Sequence, residues 1–339
     1  MNNLLSLQTV IFNSFLFSVC FDWLSETEIT FIFSRKKIYL TFNNSNSMTL
    51  KIPKTASGFI IFIIYLSVFA GIYLLFPIIS TPQTMVKVLI ADVIATVFVF
   101  VVSVMFNNSS VYDPYWSVAP PIIVVYLIKL FPEGNEIRQF IVLALVLFWS
   151  IRLTANWFRG WHGMKHQDWR YTSIAEKTGK LYWPVSFLGI HFMPTIFVFL
   201  GCLPLWYALS GSEPFNIFDV VATLFTFSAI LVEWIADEQL IKFRKNSSGK
   251  SFMQSGLWAF SRHPNYLGEI GFWGGMFLFA ISASGLKQTT GYWTVIGFIS
   301  MVILFKFISI PLMEKRNIER KPGYLEYIRK VPALLPRIF

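Results

Sequence analysis

The chain has 339 residues, of which 55% are hydrophobic, 18% aromatic and 14% charged, with a mean hydropathy of +0.58 and a formal net charge of +10. That balance excludes an ordinary soluble domain, in which about a quarter of residues are charged. Its two cysteines, Cys20 and Cys202, stand far apart among apolar residues and so give neither a disulfide framework nor a metal-ligand spacing.

Residues 1–47 fit the rest poorly. An apolar run over 3–24 is followed by Asp22, Glu26 and Glu28, then Arg35-Lys36-Lys37 and the polar "NNSNS" at 43–47. No small-residue cleavage site is evident, so the segment makes a weak signal peptide. "MTLKIPK" from Met48 looks like a natural start, and 1–47 is read as an extension with no assigned function. Residues 48–339 are expected to form one integral membrane unit.

A bilayer core needs roughly 20 apolar residues per helical crossing. Such stretches lie near 57–79, 85–106, 118–131, 139–158, 183–210, 217–241, 266–284 and 290–313. The third is short, which leaves the count at seven or eight. Most are continuously apolar, and many are longer than the strands of about ten residues that build barrels. The expected fold is therefore all-α, a polytopic membrane helical bundle. No internal repeat is visible, which weakens a transporter of duplicated halves.

The segments Arg152–Lys180, Lys242–Arg262 and Lys315–Arg337 hold six, five and seven Lys or Arg and fall on one side by parity, with Lys51 and Lys54. The other side has only Lys87, Lys129, Arg138 and Lys287, so the basic side is expected to be cytoplasmic. For most of these cations topology is explanation enough. The chain is placed in the inner membrane if bacterial, or the endoplasmic reticulum if eukaryotic.

Ionisable residues in or beside crossings are expensive, and five places hold them. "DPYWS" (Asp113–Ser117) reads as a turn between the second and third crossings; Tyr115 and Trp116 suit an interfacial belt, which leaves Asp113 unexplained. In "SIRLTANWFRGWHGMKHQDWRY", Arg152, Asn156 and Arg159 fall on one helical stripe. His162 and His166 have a zinc-like spacing, but Gly163 interrupts it and no metal is expected. In "EWIADEQLIKFRK", Glu233, Asp237 and Arg244 share a face, while Glu238 and Lys242 have the spacing of an ordinary pair. "SSGKS" fails the phosphate-loop pattern, which needs glycine where Arg244 stands. Gly268, Gly271, Gly274 and Gly275 have the spacing of close helix packing.

The fourth place is "SRHPNYLGE", with Arg262, His263, Asn265, Tyr266 and Glu269. Pro264 makes it a turn feeding a helix N-terminus, where Arg262 and His263 are expected to face an anion and Asn265 and Glu269 to look into the bundle. The fifth is the tail, where Arg316 and Arg320 are one turn apart and Tyr324 and Tyr327 follow Pro322-Gly323. It is expected to fold as a cap.

"GLWAFSRHPNYLGEIGFWG" resembles the C-terminal signature of the steroid 5-alpha-reductase-like superfamily, most closely its DUF1295 branch. The likeness covers roughly Asp113–Phe339 and includes the DPYW turn, the R-L-T helix with its G-W-H loop, A-D-E-Q, and the ending L-L-P-R-I-F. R-H-P-x-Y-x-G alone is shared with isoprenylcysteine and phospholipid methyltransferases; N-Y-L-G-E and A-D-E-Q in the same order make it more specific. The resemblance implies reduction of a carbon-carbon double bond conjugated to a ketone, with hydride from NADPH bound on the cytoplasmic side. By position, Asp237, Arg244 and Asn265 match cofactor-holding residues, with Tyr266, Gly268 and Glu269 in the same motif, and Arg152 matches an arginine on the fourth helix. Trp149 stands where the steroid enzymes have a ketone-polarising tyrosine, and their substrate-side glutamate has no clear match, so a steroid substrate does not follow.

Arginine forks recognise phosphates, which makes Arg244, Arg262, Arg316 and Arg320 the candidates for a phosphorylated cofactor. Hydride addition to an enone builds charge on the ketone oxygen and needs a donor there. Tyr115 backed by Asp113 is the first candidate and Tyr266 the second. The substrate is expected to be lipidic, sterol-like or isoprenoid, with membrane lipids around it and neither nucleic acid nor an obligate protein partner. The alternatives are an S-adenosylmethionine-dependent membrane methyltransferase, which leaves the arginines unexplained, and a non-catalytic membrane binding protein, which the presence of Arg244 and Asn265 disfavours.

Overall fold

A computed structural model describes residues 53–247, 249, 251–285 and 289–336; the extension 1–47 with Cys20, part of "SSGKS", Lys287 and the last three residues lie outside them. Eight segments among the described residues are long and apolar enough to cross a membrane: Lys54–Ile78, Thr84–Met105, Ser109–Leu130, Glu136–Gly160, Trp169–Ser210, Ile217–Asn246, Pro264–Ser284 and Gly291–Arg320. They match the expected crossings except at the third and at the fifth, which begins at Trp169 rather than near 183. The third is not short: its α-helix already starts at Tyr115, and a 3-10 turn at Ser109–Val111 precedes it.

The helices are α1 (Lys54–Leu75), α2 (Thr84–Met105), α3 (Tyr115–Leu130), α4 (Glu136–Gly160), α5 (Trp169–Thr178), α6 (Tyr182–Ser186), α7 (Met193–Ser210), α8 (Ile217–Asn246), α9 (Pro264–Ser284), α10 (Val295–Ile303), α11 (Ile310–Arg320) and α12 (Tyr324–Lys330). Helix is the form these apolar runs must take, since hydrocarbon offers backbone groups no partner outside the segment. Polar residues set the ends. Asn135 accepts from the Arg138 amide to start α4, and Asn216 with Asp219 forms a capping box at the start of α8. π turns at Phe187–Phe192 and Leu304–Ser309 lead into α7 and join α10 to α11.

The closest packing is between α8 and α9, where a side chain on Gly268 would meet the Ala229 carbonyl at 2.6 Å and the Glu233 Cβ at 2.7 Å. Gly271 is similarly close to Ala229, as the glycine spacing led one to expect. Against this pair lies the main apolar core, in which Trp149 of α4 stacks on Phe272 of α9 at 4.5 Å. A second core joins Ile61, Tyr65, Val99, Tyr112, Tyr115 and Trp161 from α1, α2, the start of α3 and the neighbouring turns. Large apolar side chains such as Phe59, Phe62, Leu66, Leu224 and Phe307 point outward, as lipid-facing residues of a multi-pass membrane protein do.

Because the crossings alternate, the C-termini of α4, α8 and α11 and the N-terminus of α9 share one end of the bundle. The polar residues gather there.

Candidate functional site

Arg152 is the centre of the first group. It lies on α4, 6% exposed, and donates to Asp237 at 2.8 Å and to Glu233, both on α8, while Glu269 of α9 approaches to 4.0 Å. Asn156 gives a second bond to Asp237 at 2.9 Å, and Arg159 pairs with Glu238. The stripe read on α4 therefore meets the acidic face read on α8, residue against residue. Glu238 is taken by Arg159 rather than Lys242, because the neighbouring helix brings a cation nearer than its own next turn does.

Three buried carboxylates surround one guanidinium, and the group is not closed. Arg152 Nε, Glu233 Oε2 and Asn265 Oδ1 are buried with no hydrogen-bond partner. A buried polar group without a partner costs about 1–3 kcal/mol, so such atoms mark where a ligand can bond. Glu269 is more occupied than expected. The indoles of Trp149 and Trp273 each donate to it at 2.9 Å, so it holds the wall of the cluster rather than facing inward unpartnered. Trp149, where the steroid enzymes have tyrosine, is thereby a carboxylate partner.

Cations form the second group, nearer the end of the bundle. Arg316 of α11 lies over the Trp169 ring at 3.8 Å and feels Arg320, Arg244 and Arg170; Lys321 in turn feels Arg244 and Arg316. Asp168 is the acid facing them, 2.8 Å from Arg170. Burial works to raise its pKa, but the Arg170 guanidinium and its hydrogen bonds, then Arg316, hold the carboxyl below the ordinary aspartate range. Lys321 is held below the ordinary lysine range, first by burial and then by Arg244 and Arg316. Tyr266 joins the two groups: it is close to Arg170, Asp237 and Arg244, and stacks on His263 at 5.3 Å. Asn265, beside it, lies against Asp237.

Two placements differ from expectation. Arg262 and His263, expected to face phosphates, instead bond the carboxylate of Glu314 on α11, at 2.7 and 3.2 Å, and Arg262 also donates to the carbonyls of Ile328 and Val331. Their backbone amides donate to Pro332 and Ala333. This turn is the dock for the tail, which folds as the expected cap with Tyr324 and Tyr327 buried and the Tyr327 hydroxyl on the Trp258 carbonyl. The carbonyls at the end of a helix have no partner within it, and an arginine that can donate to several at once supplies one.

Nor does Asp113 back Tyr115. Tyr115 lies in the first turn of α3 and donates to Asp92 of α2 at 2.5 Å, whereas Asp113 accepts from Tyr171 at 2.6 Å. Residues two apart at a helix start diverge, so each found another partner. Asp113 is also near Arg170, so it does not lack a cation.

Sequence reading missed Arg170, Asp168, Lys321 and Asp92. Asp92 carried a signal, a lone acid inside an apolar run; its Oδ2 is buried without a partner. His162 and His166 lie with their rings 4.9 Å apart, and no group of three or more potential ligands occurs among the described residues.

Comparison with known proteins agrees with the resemblance read from the motifs. A family described as "Protein of unknown function (DUF1295)" matches residues 99–331. A protein of Schizosaccharomyces pombe described as uncharacterized is 30% identical over 264 residues, 70% of this chain and 75% of the relative. No solved structure matches. The chain belongs to the DUF1295 family, within the steroid 5-alpha-reductase-like superfamily.

Proposed function

We propose that this DUF1295 protein is a membrane-embedded, NADPH-dependent reductase of a carbon-carbon double bond conjugated to a ketone in a lipidic substrate, sterol-like or isoprenoid. The observation that carries the reading is the rim of cations, Arg170, Arg244, Arg316, Arg320 and Lys321, faced by Asp168 and set beside a carboxylate and amide cluster with unpartnered atoms. Like charges gathered this way favour a polyanion. The cluster behind suits an uncharged hydrogen-bonding end.

The residues fit such a ligand. Arg244, Arg316 and Lys321 hold phosphate oxygens, and Asp237 and Asn265 take ribose hydroxyl or carboxamide groups. NADPH, when bound, supplies hydride to the β-carbon of the enone. Tyr115 is the residue assigned to donate to the ketone oxygen, which requires its one hydroxyl proton to turn from Asp92 to the substrate, with Tyr266 the alternative. By the charge asymmetry of its ends, the chain presents this site to the cytoplasm.

The test is thermal unfolding of the purified protein in detergent with NADPH, NADH and S-adenosylmethionine. A ligand at 100 times its dissociation constant adds about 2.7 kcal/mol. Stabilisation by NADPH is expected; stabilisation by S-adenosylmethionine alone overturns the reading in favour of a methyltransferase.

A further inference from the structure

Beyond the last turns of α8 lies a cavity with two kinds of wall. Leu240, Phe243, Phe252 and Met253 make it apolar, and Arg244 and Lys321 make it cationic. Phe252 is braced from outside by Tyr324 and Tyr327, with ring centroids at 5.1 and 5.3 Å. Among the described lining residues there is no acid, and Arg244 and Lys321 make no ion pair there. Aromatic and aliphatic walls beside two cations that make no ion pair suit a flat, weakly polar ring carrying a phosphate close by. The cavity also lies in line with the inner cluster, since Arg244 is seven residues from Asp237 on one helix, about 10 Å along its axis. A single elongated ligand can therefore touch Asp237 at one end and Lys321 at the other.

We propose that this cavity receives the adenosine end of the dinucleotide, and that Lys321, with Arg244, grips the 2′-phosphate and so separates NADPH from NADH. The proposal rests on the reductase reading and sharpens it to one residue. The depressed basicity of Lys321 is in keeping: burial first, then the repulsion of Arg244 and Arg316, disfavour its ammonium, and a phosphate dianion relieves that repulsion. Lys321 itself sits at the break between α11 and α12, where Gly323 takes φ +80° and turns the chain back over the cavity.

The experiment is binding of NADPH and NADH to the detergent-solubilised full chain, as wild type, Lys321→Ala and Lys321→Arg, with adenosine 2′,5′-bisphosphate and adenosine 5′-monophosphate as competitors. Losing a charge-assisted bond should weaken NADPH about 10- to 100-fold in Lys321→Ala, leave NADH unchanged, and spare Lys321→Arg. The bisphosphate should compete and the monophosphate should not. Equal weakening of both dinucleotides, or none, overturns the role of Lys321 while the reductase reading stands. Competition by phosphatidate in nanodiscs but not by the bisphosphate gives the cavity to a lipid head and also overturns it. If neither dinucleotide binds the wild type, the reductase reading falls and this inference with it.

Discussion

Helix α4 carries two buried arginines, and they are held in opposite ways. Arg138, near its start, is fully buried: it meets both oxygens of Asp219 at 2.7 and 2.9 Å and the carbonyls of Gly211 and Glu213, each at 3.1 Å. Arg152, about 20 Å further along, faces three acids and keeps Nε unpartnered. The first is a finished joint that ties α4 to the start of α8. The second has more charge than its partners can neutralise and lies beside a rim of cations, of which Arg170 pairs with Asp168. Burial of charge is thus not by itself a sign of function; incomplete pairing is the sign that separates the two ends of this helix.

The largest effect should come from the closed end. Arg138→Ala leaves Asp219 buried and unpaired, and should lower stability in detergent by about 3–5 kcal/mol with no change in preference between dinucleotides. A mild loss would break the comparison, because Arg138 would then not be the stronger joint. Between the extremes lies Glu314, which holds Arg262 and His263. Glu314→Ala should cost about 1–3 kcal/mol and loosen the tail, read as faster proteolysis after α11. Unchanged cleavage there would mean the tail docks without it.

At the open end the expected change in stability is small. Glu233→Gln leaves Arg152 its bond to Asp237 and removes one of three crowded negative charges, so unfolding should move by less than about 1 kcal/mol. A drop as large as that of Arg138→Ala would show the cluster to be another structural joint.

Much of this was legible before any coordinates. The crossings show because each is a run of apolar residues long enough to span. The stripe of Arg152, Asn156 and Arg159 shows because helical periodicity puts those residues on one face, and the glycines of α9 show for the same reason. Pairing does not show. Arg138 and Asp219 are 81 residues apart, as are Arg152 and Glu233, and nothing local in either sequence tells a closed joint from an open one. Arg262 looked available because its turn is polar; only the returning tail, more than fifty residues later, accounts for it.

The smallest effect is a slope. Lys321 is depressed below its ordinary value by burial, Arg244 and Arg316, so between its folded and unfolded values the unfolded chain binds the extra proton. Its contribution to the stability of the unliganded protein therefore rises with pH through that window. A bound phosphate acts the other way, favouring the ammonium, so binding takes up a proton and affinity should fall as pH rises through the value in the free protein. Opposite slopes from one group are a signature that general alkaline unfolding does not produce. Lys321→Arg, charged throughout, should flatten both while keeping the affinity, and titration of NADPH binding and thermal unfolding on the alkaline side, up to the ordinary lysine value of about 10.4, measures the pair. Slopes that run together in the wild type, or that survive in Lys321→Arg, would show that the cationic rim is as settled as Arg138 and that its lysine takes no ligand.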